Sequence, residues 1–514
     1  MTWHHRLFAG LERASDWLSP IVVKEVRQLT SGREFHYSFS ISLLLGLCVA
    51  FLGAASALDA SGTSGSWTFG ALIGCLAFFG LVVVPMGAFN ALRTERLEQT
   101  LELIILTTLS PRRVVIGKLL AQGVKLATLF AGLSPFIAMS FLLGGIDFVT
   151  ILVSMMLLFS WSLWACAASL FLSSLIKTRA ISGLIFGGLG VLLFLGVVAF
   201  GVPRVLFFMM MRSGGAFSSS GFHFTFFGGS APWWLLVMLT TFCLISMMNL
   251  VLLTENRLSV ATGNRVTALR IGFAVQFLVL VGWMLSFAGE PPPIRTSAAW
   301  TLGVLGGLHL AAVAMFTVTE DLVLPRRVLI RMREWSALRQ MVAILSPGGG
   351  RGALYVLAQM AILLAAVGIL RPTTPGFSWF VAICGYVCFF TGVPVAAFRL
   401  FRPAHEAAFH LRVVTLVALP VAMLLPDILY YMLWRPDEFT VSFAARHLIS
   451  PRALAQWSVV QSRYGIAFPV ALGLIGVAAY SIVVGAGMRM IEEAEIEAGE
   501  AAAPAREPGS ADVY

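Results

Sequence analysis

The sequence predicts an all-α fold, a polytopic transmembrane helical bundle of about 12 spans with both termini in the cytoplasm. Hydrophobic residues make up 58% of the chain and charged residues only 12%, and the mean hydropathy is +0.88. Soluble domains carry about 25% charged residues. A 514-residue chain of this composition lacks the polar surface of a water-soluble globule. Soluble enzymes, nucleic-acid-binding domains and secreted disulfide scaffolds are therefore excluded.

The individual spans follow from apolar runs of about 20 residues, the length that crosses a bilayer as a helix. Charged segments or Pro- and Gly-rich segments separate these runs. The predicted spans are 38–58, 68–90, 119–143, 150–175, 180–201, 232–254, 271–288, 299–318, 352–370, 377–398, 412–434 and 465–488.

The distribution of basic residues predicts the orientation and explains the net charge of +10. When residues 1–37 are placed in the cytoplasm, about three quarters of the 35 Lys and Arg residues fall in cytoplasmic segments. This positive-inside bias predicts a multi-pass protein of the cytoplasmic (inner) membrane. It also leaves no basic excess that would require a nucleic-acid partner.

The first element of the chain is a predicted helix before the first span, over 20–29. Apolar residues alternate at helical spacing with Lys24, Glu25 and Arg27. This pattern indicates a helix lying in the cytoplasmic interface, with its basic side chains toward lipid headgroups. A simple anchoring stub for the first span is the alternative. Residues 1–37 form the predicted cytoplasmic N-terminal segment.

A second cytoplasmic helix is predicted over 94–108, after the second span. Leu97, Leu101 and Ile104 share one face, and Glu95, Glu98 and Glu102 form an acidic ridge on another face. Proline disfavours helix at the residue before it, so the helix stops before Ser110-Pro111. A loop helix that merely covers the end of the bundle would show the same periodicity.

These segments resemble the membrane (permease) subunits of type-2, export-class ABC transporters. That family carries a Pro-x-x-x-Lys-Glu-x-Arg stretch before the first span, and Thr-Leu-Glu, Leu-Ser-Pro and Gly-Lys after the second. Gln99 and Thr108 depart from the family pattern, and neither departure breaks the helix. The matching residues are Pro20, Lys24, Glu25, Arg27, Glu95, Arg96, Thr100, Leu101, Glu102, Leu109, Ser110, Pro111, Gly117 and Lys118.

The resemblance implies that residues 38–256 form a six-span permease unit, and that helix 94–108 couples this unit to a separate ATP-binding subunit, present in two copies. The implied coupling residues are Glu95, Arg96, Glu98, Thr100, Glu102, Ser110 and Pro111. The chain itself is expected to be non-catalytic and to need no cofactor and no metal, because the sequence contains no phosphate-binding G-x-x-x-x-G-K-[ST] loop. Membrane lipid is the other expected partner.

The second half, 257–488, is predicted to be another six-span unit. Its cytoplasmic segment echoes the first, with Thr319-Glu320, Leu345-Ser346-Pro347 and Leu357-Ala358-Gln359 in place of Thr94-Glu95, Leu109-Ser110-Pro111 and Leu120-Ala121-Gln122. Two readings remain open. A degenerate internal repeat would make the chain a pseudo-dimer, whereas an accessory extension would leave the first half to pair with a second permease chain or with a copy of itself.

Polar residues within the spans are candidates for a transport pathway. Asp427, directly after a proline in the eleventh predicted span, could line a cavity. Lys125 is expected to extend its side chain to the cytoplasmic interface, and His309 and Asn249 are expected to make hydrogen bonds between helices. The rival function is a 12-span ion-coupled secondary transporter. The acidic tail, 489–514, is predicted to be disordered.

Overall fold

The computed structural model divides the chain into two compact units, residues 1–259 and 260–514. The boundary lies close to the one at 256/257 that the sequence predicts. The structure describes residues 20–57, 64–98, 111–144, 148–175, 183, 186–188, 190, 223–226, 229–259, 266–320, 322, 342–370, 374–401, 412 and 467–502.

Among these described residues, ten helices are long and apolar enough to cross a membrane, and the chain is a multi-pass membrane protein. Each agrees in position with a span that the sequence predicts. The predicted span 412–434 and most of 180–201 lie outside the described residues. Large apolar side chains such as Phe51, Leu142 and Leu278 are exposed on the spans, as expected for surfaces that face lipid rather than water.

The described part of unit 1 has a short helix, α1, followed by five spans. The second span consists of two α-helices, α3 and α4, joined by a π-helical segment. Its helices are α1 (Pro20–Thr30), α2 (Arg33–Ala57), α3 (Ser64–Phe78), α4 (Val84–Leu97), α5 (Pro111–Leu142), α6 (Phe148–Ser174) and α7 (Trp233–Leu258).

The third span, α5, is the centre of unit 1. It packs against α1, the first span, the second span, α6 and α7. The fourth span, α6, packs against the second span and against α7. Leu126, Leu129 and Leu133 of α5 are fully buried in the apolar core that results.

The second span contains a π-helical segment, Phe79–Val83. The N–H of Val84 donates to the carbonyl of Phe79, five residues back. The segment ends two residues before Pro85, which has no N–H to continue the α-helical hydrogen bonds. A local π adjustment of this kind lets a transmembrane helix accept a proline.

One short antiparallel hairpin departs from the predicted all-α fold. It joins His223–Phe226 to Gly229–Pro232, and His223 pairs with Pro232. The strands immediately precede α7, the last span of unit 1.

Unit 2 also has five described spans. The helices are α8 (Thr267–Ser286), α9 (Pro292–Thr317), α10 (Gly349–Ile369), α11 (Thr374–Phe401) and α12 (Ala467–Ala502). A short 3-10 segment, Val342–Leu345, precedes α10.

Two of these helices, α11 and α12, pack closely at a glycine. A Cβ atom added at Gly476 of α12 would lie 2.5 Å from the backbone carbonyl carbon of Cys388 on α11. Such close packing at small residues is usual between membrane helices.

The predicted start of a disordered tail at residue 489 is wrong. Helix α12 continues without a break from the last span to Ala502. Residues 490–502 are rich in Ala, Glu, Met and Ile and contain only one Gly, and Ala, Glu and Met have high helix propensity. Acidic composition therefore does not prevent this part of the tail from forming helix. Residues 503–514 lie outside the described part of the chain.

Candidate coupling site and polar residues within the spans

Helix α1 confirms the predicted helix over 20–29 and shows which of its faces is buried. Val22 and Glu25, almost one turn apart, are buried, and α1 packs against α5. Lys24 and Arg27 are exposed, as an interfacial helix requires. Glu25 therefore points into the protein while the basic residues point away from it.

The carboxylate of Glu25 meets a lysine on α5. Lys118 is only 2% exposed, and its Nζ atom donates to Glu25 Oε1 at 3.0 Å and to Glu95 Oε1 at 2.7 Å. Glu95 lies in the last turn of α4. We call Glu25, Glu95 and Lys118 the Lys118 triad. It joins three helices that are separated along the chain by as many as 93 residues.

The electrostatics of the triad make each member dependent on the others. Removing the partner of a buried charge costs about 3–5 kcal/mol, although a complete buried pair adds little net stability. The main contribution of the triad is therefore to fix how the ends of α1, α4 and α5 meet. Its net contribution to the stability of unit 1 is small. Helices α4 and α5 are the two that flank the predicted coupling segment.

The predicted start of the coupling helix at Thr94 is wrong. Residues 94–97 continue α4 of the second span, and Glu98 follows as its C-terminal cap, with its N–H bonded to the carbonyl of Thr94. The predicted acidic ridge is also divided. Glu95 faces Lys118, whereas Glu98 is exposed. The cause is the ammonium of Lys118, which holds Glu95 against α5.

The other predicted coupling residues fall into two groups. Arg96 is half-buried at the end of α4, and Pro111 is the first residue of α5, a favoured position for proline because its missing N–H is not needed there. Thr100, Glu102 and Ser110 lie outside the described residues. Asp427, the predicted pathway residue, also lies outside them.

Unit 2 contains a second buried ion pair, which the sequence did not predict. Arg270 of α8 is fully buried, and its Nη2 atom donates to Glu320 Oε2 at 2.6 Å. Glu320 follows α9 and is 6% exposed. Burial raises the pKa of the Glu320 carboxyl, and the guanidinium of Arg270 and the N–H of Gly348 oppose this rise.

Backbone from the Leu345-Ser346-Pro347 segment covers this pair. Arg270 Nη1 donates to the carbonyls of Ile344 and Ser346 at 2.8 and 2.5 Å, and Nη2 donates to the carbonyl of Gly348 at 3.0 Å. The N–H of Gly348 donates to Glu320 Oε2 at 3.0 Å. Gly348 has a φ of +122°, a conformation that favours glycine.

The expected interhelical role of His309 is confirmed. His309 is buried on α9, and its Nε2 atom lies 3.0 Å from Oε1 of Gln359 on α10. The ring stacks on Phe277 of α8. Asn249 is buried on α7.

The expectation that Lys125 reaches the interface is wrong. Its residue exposure is only 5%, and its Nζ atom would lie 3.5 Å from a Cβ atom at Gly87 of α4. The ammonium therefore lies against α4, at a distance where an added Cβ atom would make an ordinary van der Waals contact. The side chain is almost fully enclosed by the bundle.

Sequence reasoning missed the Lys118 triad and the Arg270–Glu320 pair. The signal for the first was present, because Glu25 and Lys118 both belong to the segments that resemble the permease family. Arg270 carried no comparable signal, because it belongs neither to the segments that resemble the permease family nor to their echo in the second half.

Comparisons with known proteins give no assignment. No protein-family model matches this chain, and neither a curated protein nor a solved structure matches it. Within the part of the chain that the structure describes, no cluster of three or more His, Cys, Asp or Glu residues could hold a metal ion.

Proposed function

We propose that this chain is the non-catalytic membrane (permease) subunit of a type-2 ABC transporter in the cytoplasmic membrane. Its 12 spans open alternately to the two sides while a separate ATP-binding subunit binds and hydrolyses ATP. Both termini lie in the cytoplasm, and export is the direction that the resemblance implies.

The Lys118 triad is the observation that supports this proposal most strongly. The resemblance rests on three separated stretches: one before the first span, one after the second and one at the start of the third. Each contributes one charged residue to the triad, at Nζ–Oε1 distances of 3.0 and 2.7 Å. A chance similarity of short motifs gives no reason for these residues to meet at one point.

The position of the triad suits a coupling role. Residues 99–110 connect α4 to α5, and the triad ties both helix ends to α1. A force that an ATPase applies to this segment would therefore act on three helices at once, because the triad links their ends. Glu98, exposed at the end of α4, gives the docking surface a negative charge that complements a basic groove.

The test is co-purification with the P-loop ATPases encoded beside the gene. Tagged wild-type protein should retain one of these ATPases, and the double variant Glu98→Arg, Glu102→Arg should lose most of it. The matched control is Glu290→Arg, an exposed charge reversal between α8 and α9, on the predicted outer side. Size-exclusion chromatography checks that all three proteins are folded.

Two results would contradict this role. The first is that wild-type protein retains no ATPase. The second is that the double variant retains as much ATPase as the Glu290→Arg control. Substrate flux driven by an ion gradient in vesicles without any ATPase would instead favour the 12-span ion-coupled secondary transporter.

We further propose that the second unit is a degenerate repeat of the first. In both units the third of the five described spans packs against the first, second, fourth and last. In both, the fourth also packs against the second and the last. The gap before the last described span contains a predicted span in each unit, 180–201 and 412–434. These correspondences support two six-span units.

A repeat implies that one chain supplies both halves of the transporter and binds two ATPase subunits. Native mass spectrometry of the purified complex measures this ratio directly. One permease chain with two ATPase chains is the expected composition. Two permease chains in the complex would favour the accessory-extension reading, with self-dimerisation or a second permease chain.

A further inference from the structure

A second lysine of α5 differs sharply from Lys118. Lys125 lies seven residues further along α5, about 10 Å deeper into the span. It is 5% exposed, yet among the described residues no carboxylate lies within 4.0 Å of its ammonium and no acceptor bonds to it. The buried cations Lys118 and Arg270, by contrast, each pair with at least one carboxylate.

The surroundings of Lys125 compensate its charge only in part, through electrostatic interactions with Glu34 and Cys166. Ala88 of α4, Leu126 of α5 and Cys166 of α6 belong to the apolar core around it. Glu34, an exposed residue at the start of α2, acts on it only over a longer distance. A charged side chain within a membrane bundle is costly, and such a residue is a candidate functional site by default.

Two further buried polar side chains lie on α5 and α6, the helices that carry Lys125 and Cys166. Gln122, one turn before Lys125 on α5, is 1% exposed, and neither its Nε2 nor its Oε1 has a hydrogen-bond partner among the described residues. Ser169, one turn after Cys166 on α6, is fully buried, and its Oγ lacks a partner within the same set. Buried polar atoms are normally satisfied.

Unit 2 shows the corresponding glutamine with one hydrogen bond made, although its Nε2 atom also lacks a partner among the described residues. The echo of Leu120-Ala121-Gln122 in Leu357-Ala358-Gln359 places Gln359 opposite His309, which bonds to it. The matching residue of unit 1 is Val84, which offers no hydrogen bond. The counterpart of Lys125 is Ile362, which is exposed on the outside of unit 2.

From this contrast we propose that Lys125, Gln122 and Ser169 form a binding site for an anionic group, a carboxylate or a phosphate, within unit 1. The ammonium, the amide N–H groups and the hydroxyl are all hydrogen-bond donors, which is what an anion's oxygen atoms require. We call this the Lys125 site. If the proposed transport function holds, the site selects anionic substrates.

The anion has two sources, the headgroup of an anionic lipid or a soluble anion. The experiment measures the thermal unfolding midpoint of the purified full-length chain in detergent. The probes are phosphatidylglycerol, phosphatidylcholine as the zwitterionic lipid control without net charge, and inorganic phosphate against chloride at equal ionic strength. A ligand that binds the folded state raises the midpoint by an amount that grows with the logarithm of its concentration divided by its Kd.

Three variants separate the charge of Lys125 from its packing. Lys125→Met removes the charge and keeps the length, Lys125→Arg keeps the charge, and Lys24→Met makes the same change at an exposed cation of α1. We expect phosphatidylglycerol or phosphate to stabilise wild type, Lys125→Arg and Lys24→Met. Binding to Lys125→Met should weaken by about tenfold or more, the typical loss for a charged hydrogen bond.

Without any probe, Lys125→Met should be at least as stable as wild type, because it removes a buried charge that has no partner. A lower midpoint of the unliganded variant would overturn the proposal, since it would reveal an internal partner for the ammonium. An equal response of wild type and Lys125→Met to both probes, or no response of wild type, would also overturn it. These readouts need no ATPase, so they fail or succeed independently of the coupling role.

Discussion

The two units place a glutamate at corresponding positions near the C-terminal end of their second described span, and each neutralises it differently. In unit 1, Glu95 pairs with Lys118 from the third span and shares it with Glu25 of α1. In unit 2, Glu320 pairs with Arg270 from the first span of its unit. The carboxylate is thus common to both units, and the cation comes from a different helix.

The difference lies in what surrounds the two carboxylates. The side chain of Glu95 is 21% exposed, whereas that of Glu320 is 7% exposed and lies under the Gly348 backbone. Three backbone carbonyls also accept from Arg270. The ion pair of unit 2 is therefore enclosed by the surrounding backbone. The triad of unit 1 leaves its helix ends beside an exposed glutamate, which suits a contact with another protein.

The largest expected effect is that of Arg270→Met. The change leaves the Glu320 carboxylate buried without a cation and three carbonyls without their donor. We expect a loss of about 3–5 kcal/mol in the free energy of unfolding, or no folded protein. Denaturant titration in mixed micelles measures it. The double variant Arg270→Met, Glu320→Gln should recover part of the loss, and a double variant no more stable than the single one would contradict the ion-pair interpretation.

A smaller loss is expected for Lys118→Met. Glu95 can turn toward solvent because it is partly exposed, so that mainly Glu25 remains without a partner. We expect about 2–3 kcal/mol from the same titration, the cost of leaving one buried charged group unsatisfied. The control Lys24→Met should change little. If Lys118→Met lowers the free energy of unfolding as much as Arg270→Met does, the distinction between the partly exposed ion pair of unit 1 and the enclosed one of unit 2 is wrong.

A still smaller effect tests whether the units correspond residue by residue. His309→Val should destabilise unit 2 by about 1–2 kcal/mol, because Gln359 loses its partner. Val84→His should then lower the free energy of unfolding of unit 1 only a little or not at all, because Gln122 gains a hydrogen-bond partner. Val82→His, a change at a neighbouring buried valine, is the matched control and should destabilise more. Equal losses for Val84→His and Val82→His would argue against the repeat.

The smallest effect is expected at Glu98. Glu98→Arg should change the free energy of unfolding by no more than about 0.5 kcal/mol, as for most exposed positions. Glu95→Arg should cost clearly more, because it places a guanidinium against the ammonium of Lys118. The two substituted positions are only three residues apart at the end of the same helix. Equal stability of both would contradict the division of the acidic ridge.

Much of the helical architecture could be predicted from the sequence, because lipid exposure imposes long apolar runs that are visible residue by residue. Pro111 at the start of α5 and the helix over 20–29 follow from local rules about proline and amphipathic spacing. The cytoplasmic orientation and the spans near 180–201 and 412–434 remain predictions.

The candidate site was harder to predict because it depends on contacts between distant segments. Periodicity placed Glu95 beside Glu98 on one ridge, but the position of Lys118 in space decides which of them is free. The error at Lys125 has the same origin. A lysine near the end of a span usually reaches water, and only the packing of Lys125 against α4 in the folded unit shows that it is almost fully buried.

The π-helical segment of the second span has a consequence for every residue that follows it. One additional residue in a helix turns the remainder by about 100°. Helix α3, before the segment, packs against α2 and α5, whereas α4, after it, packs mainly against α6. The segment thus gives a single span two different sets of neighbours.

This rotation also sets the direction in which Glu95 points. Deleting one residue from 79–83 would restore continuous α-helix and turn Glu95 away from α5 by the same angle. A five-residue irregularity within the bilayer, 12 residues before the glutamate at its nearest point, therefore determines whether the three helix ends can be joined by Lys118.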